Sequence, residues 1–135
     1  DRYKKKISGP LLDRIDLHIE VPRVEFEKLS QSELSETSEK IRKRVEAARE
    51  CQTQRLKNTP YSSNSEMKNK DIKKYCKLND ESIDLLRQAV TQMHLSARGY
   101  HRILKLARTI ADLEGVEDIQ TQHVAEALQY RSKNE

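Results

Sequence analysis

Ser96-Ala97-Arg98-Gly99-Tyr100-His101-Arg102-Ile103-Leu104-Lys105-Leu106-Ala107-Arg108-Thr109-Ile110-Ala111-Asp112-Leu113 carries the strongest helical pattern in the sequence. Tyr100, Ile103, Leu104, Ala107, Ile110 and Ala111 recur at i, i+3, i+4, i+7, i+10 and i+11, which at about 100° per residue forms one apolar stripe. Ser96 can cap the helix by accepting from its first amides, and Gly115 can end it in the left-handed conformation that other residues avoid. So regular a stripe needs apolar partners on neighbouring elements.

The flanking sequence supplies them. Asn79 or Asp80 can cap a helix in which Ile83, Leu86, Val90 and Met93 recur at helical spacing, ending near His94 and Leu95. Thr121 can cap a short helix carrying Val124, Ala127 and Leu128. Residues 78–135 therefore read as a helical bundle with short connections. Residues 30 to about 57 contain no Gly or Pro and a thin stripe of Leu34, Ile41, Val45, Ala48 and Leu56, which predicts a long, mostly exposed helix. Residues 58–65 are polar and turn-rich and predict a mobile loop, followed by a short helix around Lys68 to Tyr75.

The first residues differ in kind. Pro10 can open a single helical turn, where its missing N–H costs nothing. Asp16-Leu17-His18-Ile19-Glu20-Val21-Pro22 then alternates, with Leu17, Ile19 and Val21 on one face, and reads as a half-buried strand ended by proline. No second β segment follows to satisfy its backbone groups, so the strand is expected to belong to a sheet outside this sequence, and the sequence to be a piece of a longer protein. The expected class is mostly α: a helical bundle preceded by a turn and one strand left from an α/β unit.

Composition agrees with this reading. Three glycines, three prolines, no Trp and one Phe leave an aliphatic core in helix-favouring sequence. The formal charge of +4 is mild against 26 basic and 22 acidic residues, and it permits nucleic-acid contact without requiring it. No apolar run approaches the roughly 20 residues of a membrane span, and the basic start lacks the apolar stretch of a signal peptide, which points to the cytoplasm. Cys51 and Cys76 are too few for a zinc site and are expected as free thiols. His18, His94, His101 and His123 have no metal-like spacing and read as surface or half-buried imidazoles; no metal site is expected.

Two arginines invite chemistry. Arg98, Arg102 and Lys105 share one arc of the 96–113 helix, with His101 and Arg108 at its margin. Arg98 falls in the first turn, where the dipole favours anions and a phosphate would answer both the guanidinium and the free amides. A solvated basic face is the alternative reading of the same spacing. Arg14 sits between Asp13 and Asp16, and taken alone is most simply a locally paired surface arginine. There is no Gly-x-x-x-x-Gly-Lys-Ser/Thr loop, so the sequence by itself is not expected to hydrolyse ATP.

Ile7-Ser8-Gly9-Pro10-Leu11-Leu12-Asp13-Arg14-Ile15-Asp16-Leu17-His18-Ile19-Glu20-Val21-Pro22 resembles the segment late in the AAA+ core of magnesium-chelatase-like ATPases of the ComM/YifB type. Residues 95–113, followed by His123-Val124-Ala125-Glu126-Ala127-Leu128-Gln129-Tyr130-Arg131, resemble the C-terminal helical lid of the same family, and the order and separation match. Residues 26 to about 76 resemble it in helical character alone.

The resemblance implies a division into 1–28, the end of the α/β ATPase core; 29–77, a long helix, flexible loop and short helix; and 78–135, the lid with its sensor-2 helix. It implies that Arg14 is an arginine finger acting in trans and that Arg98 is the sensor-2 arginine touching the ATP γ-phosphate. ATP and Mg²⁺ are then cofactors of the intact parent ATPase, not of this segment. The implied partners are its own upstream core and neighbouring subunits of a homo-oligomeric ring, with DNA worked on through the parent in transformation or recombination. Two other functions stay open on the sequence: the lid of a chelatase ATPase subunit, and a non-enzymatic helical nucleic-acid-binding module using Arg98, Arg102 and Lys105.

Overall fold

A computed structural model describes residues 9–23 and 36–131. It is helical: α1 (Gly9–Arg14), α2 (Ser38–Arg55), a 3₁₀ turn (Asn64–Glu66), α3 (Asn69–Tyr75), α4 (Asp80–Gln92), α5 (Ala97–Glu114) and α6 (Thr121–Gln129). The expected long helix begins only at Ser38, capped by Thr37, whose hydroxyl accepts from Lys40 N at 3.3 Å. The earlier part of that expectation lies outside the described residues.

Helix α5 is the hub. Ser96 Oγ accepts from Gly99 N at 3.0 Å at one end, and at the other Gly115 takes φ +80°. Its stripe of Ile103, Leu104, Ala107 and Ala111 is buried, meeting Leu86 of α4, Val124 and Ala127 of α6, and Leu56, Met67, Ile72 and Cys76 from the middle of the chain. Helices α1, α2, α3 and α6 and the 3₁₀ turn all pack on α5, while α4 rests on α6. The core is aliphatic, as the composition requires.

Several expectations are corrected. Residues 16–22 form no strand; among the described residues no strand offers the ladder that such a segment needs. Leu17, Ile19 and Val21 stand 46%, 66% and 82% exposed, so the alternating face is present but uncovered. The stripe of α2 divides in the same way: Ala48 and Leu56 are buried, whereas Ile41 and Val45 are exposed.

The loop over residues 58–65 is fastened. Asn64 is buried, its N–H donating to Gln52 Oε1 at 3.0 Å and its Nδ2 to Asp112 Oδ2 at 2.9 Å. Thr59 Oγ1 closes the turn onto Leu56 O at 2.7 Å. A polar loop becomes part of the fold when its polar groups are satisfied inward, and composition does not reveal that.

His123 is buried, not surface-exposed, and supplies the cap expected from Thr121. Its Nδ1 accepts from Gln120 N at 2.9 Å, so Nε2 carries the hydrogen and donates to Glu114 Oε2 at 2.6 Å. This imidazole ties the end of α5 to the start of α6.

Candidate functional site

The polar face of α5 divides into three environments. Arg108, expected at the margin of a basic face, is buried: Nη2 lies 3.2 Å from Asp112 Oδ1 and 3.2 Å from Val116 O. Asp112 also receives a two-pronged contact from Arg55, Nη2 to Oδ1 at 2.6 Å and Nη1 to Oδ2 at 2.9 Å. Its side chain is fully buried, so one carboxylate answers two guanidiniums and the Asn64 amide. The hydrogen bond that Arg55 donates to Asp112 raises the Arg55 pKa, with burial opposing it. The network joins α2, the loop and α5.

Arg102 and Lys105 are engaged as well. Arg102 pairs with Asp16, which fastens the segment after α1 over α5. His18 N reinforces it by donating to Tyr130 O at 2.6 Å, just past α6. Lys105 Nζ donates to Ser65 O at 3.0 Å. Burial lowers the Lys105 pKa first, and the neighbouring charges of Arg102 and Lys68 lower it further. Arg98, Arg102 and Lys105 therefore do not form one uniformly solvated face, since Asp16 and Ser65 engage two of the three.

Arg98 is the exception. It is exposed in the first turn of α5 and makes no ion pair or side-chain hydrogen bond among the described residues. Ser96 takes the Gly99 amide, which leaves the amides of Ala97 and Arg98 without partners among the described residues. Gly99 lets the Arg131 side chain close on this turn: a Cβ built there would lie 3.2 Å from Arg131 Nη2. The start of α5 thus gathers a positive dipole end, a free guanidinium and a second guanidinium packed behind it.

Arg14 ends α1, is exposed, and has no ion pair among the described residues. The local pairing with Asp16 is replaced by the Asp16–Arg102 contact. Because α1 lies against α5, both arginines are carried on one packed unit. No group of His, Cys, Asp and Glu among the described residues could hold a metal ion.

Comparison with known proteins places this arrangement. The family model for the C-terminal part of magnesium chelatase subunit ChlI matches residues 35–131, which includes α2 to α6, and the model for subunit ChlI matches residues 1–29. The chain belongs to the magnesium chelatase ChlI family. Within it, the chain is 44% identical to the competence protein ComM of Haemophilus influenzae over 132 residues, 97% of its own length and 25% of that protein. It is 40% identical to the uncharacterized protein YifB of Salmonella typhimurium and 38% to that of Escherichia coli, over the same shares. The chain spans about a quarter of the length of these relatives. This member of the family is a ComM/YifB-like C-terminal helical domain, and no helix among its described residues is long and apolar enough to cross a membrane.

The sequence singled out Arg98 and Arg14 as candidates but not the Asp112 network. Arg108 and Asp112 are one turn apart and could have been paired by spacing. Arg55, 57 residues from Asp112, carried no local signal.

Proposed function

We propose that this domain is the nucleotide-sensing lid of a ring-forming AAA+ ATPase, with Arg98 contacting the γ-phosphate and Arg14 serving the site of the adjacent subunit. In this reading residues 1–28 complete the ATPase core, residues 29–77 bridge to the lid, and residues 78–135 carry its sensor helix. Arg98 carries the reading. It is the one cation of the α5 polar face left free among the described residues, and it stands where unpaired amides and the helix dipole already favour a phosphate.

The residues present fit one end of ATP and not Mg²⁺, which would be held by groups upstream. Bound ATP supplies a triphosphate whose hydrolysis places charge on the γ-phosphoryl oxygens. Arg98 would offer that charge two N–H donors from a rigid helix end, and its engagement would swing α5 together with everything packed on it. Arg14 would neutralise the same charge across a subunit boundary. The uncovered Leu17, Ile19 and Val21 supply an apolar edge for the upstream core. The competence name of one relative favours DNA as what the whole protein works on, in the cytoplasm.

The test uses the full-length protein. Arg98→Ala and Arg14→Ala should each abolish ATP turnover, and rings mixing Arg14→Ala with subunits that keep Arg14 but cannot bind ATP should regain part of it. Unchanged turnover in both single variants would refute the proposal.

A further inference from the structure

Residues 68–77 hold Lys68, Lys70, Lys73, Lys74 and Lys77 against a single carboxylate, Asp71. That surplus equals the whole formal charge of +4, so the rest of the chain is electrically balanced. Asp71 does not dilute it at the surface: it is buried and accepts from Lys68 N at 3.1 Å. All five lysines are exposed, and none is in an ion pair among the described residues.

Within α3, Lys70, Lys73 and Lys74 stand at i, i+3 and i+4, the spacing of one helix face, and Lys77 follows two residues past its end. Ile72 and Cys76 take the opposite face into the core and fix α3 with its lysines outward. Lys68 is near enough to Lys105 to lower its pKa, which extends the positive strip toward α5. Like charges so placed repel one another, and a polyanion removes that repulsion.

We propose that the lysine face of α3 is a docking surface for the phosphate backbone of duplex DNA. The surface has no exposed apolar residue to enter a lipid layer, since Ile72 and Cys76 are in the core. It has no free aromatic platform for unpaired bases: Tyr75 packs against the core and Lys74 Nζ sits 5.1 Å from its ring centroid. What remains is a row of point charges suited to phosphates and indifferent to base sequence. The inference rests on the DNA part of the proposed function and not on the nucleotide part.

The test is fluorescence anisotropy with a labelled duplex and the full-length protein, titrated over salt. Three to four phosphate contacts predict a slope of log K against log salt that is about 3 units shallower in Lys70→Gln/Lys73→Gln/Lys74→Gln, with affinity at low salt down at least 10-fold. The corresponding Lys→Arg triple variant should retain binding. If the Gln variant binds DNA with unaltered slope, the surface is wrong while the DNA reading stands. If the unaltered protein binds no DNA at low salt, both fall. Preference for acidic vesicles over duplex would also overturn the proposal.

Discussion

Asp112→Ala is the most informative single change for the fold. The carboxylate it removes has no exposed surface, accepts from Arg55 at 2.6 and 2.9 Å and from Asn64 at 2.9 Å, and forms an ion pair with Arg108 Nη2 at 3.2 Å. The side chains of Arg55 and Arg108 are only 12% and 6% exposed, so neither guanidinium can recover its hydration without local opening. Breaking a buried pair from one side costs about 3–5 kcal/mol, mostly because the abandoned charge stays desolvated. Against a stability of about 5–15 kcal/mol that is a large fraction, and for a domain near 100 residues it lowers the Tm by roughly 15–30 °C. The assay is thermal and urea unfolding by circular dichroism, with Arg55→Ala and the double variant completing a cycle. The double variant should be less destabilised than the sum of the singles by about 1–3 kcal/mol. A loss below about 1 kcal/mol for Asp112→Ala, with native helicity, would show that the network does not hold α2 and the loop to α5.

Burial pushes the Cys76 thiol from its ordinary 9.0 up to about 11, although the Arg108 and Arg55 charges pull it down. The native protein at pH 8 should therefore alkylate once, at exposed Cys51, and twice only when unfolded, as mass spectrometry would report. The same raised value stabilises the fold fully below about pH 9, and that contribution is lost as pH rises through about 11. His94 closes α4 at φ 51°, so His94→Gly should stabilise by about 1 kcal/mol, and Gly115→Ala, at φ +80°, should destabilise by about 1–2 kcal/mol; urea midpoints read both. Ser96→Ala removes the cap of α5 and should cost about 1 kcal/mol in the same titration.

The helices were legible because their signals are local. The stripe of α5, its Ser96 cap and its Gly115 stop all lie within twenty residues, and each appears in the structure. The inward-facing polar groups were not legible. Asn64 and Asp112 meet across 48 residues, and in sequence Asn64 is one of several turn-forming residues in a polar loop. His123 looked like a scattered imidazole because it accepts from a backbone amide three residues away and donates to Glu114 of another helix. The strand expectation failed for the opposite reason: the alternation of residues 16–22 is genuine, but a ladder needs a partner strand, which the described residues do not contain. For the site, position was readable and company was not. Arg98, Arg102 and Lys105 share an arc, yet Asp16 and Ser65 claim two of the three.

The central claim is that the start of α5 holds Arg98 ready for a phosphate. The most direct measurement is steady-state ATP turnover of the full-length protein carrying Arg98→Ala. Loss of one charged donor aimed at the γ-phosphate predicts a fall in kcat of about 100-fold or more, with the subunits still folded and assembled. A kcat within about twofold of the unaltered protein would contradict it.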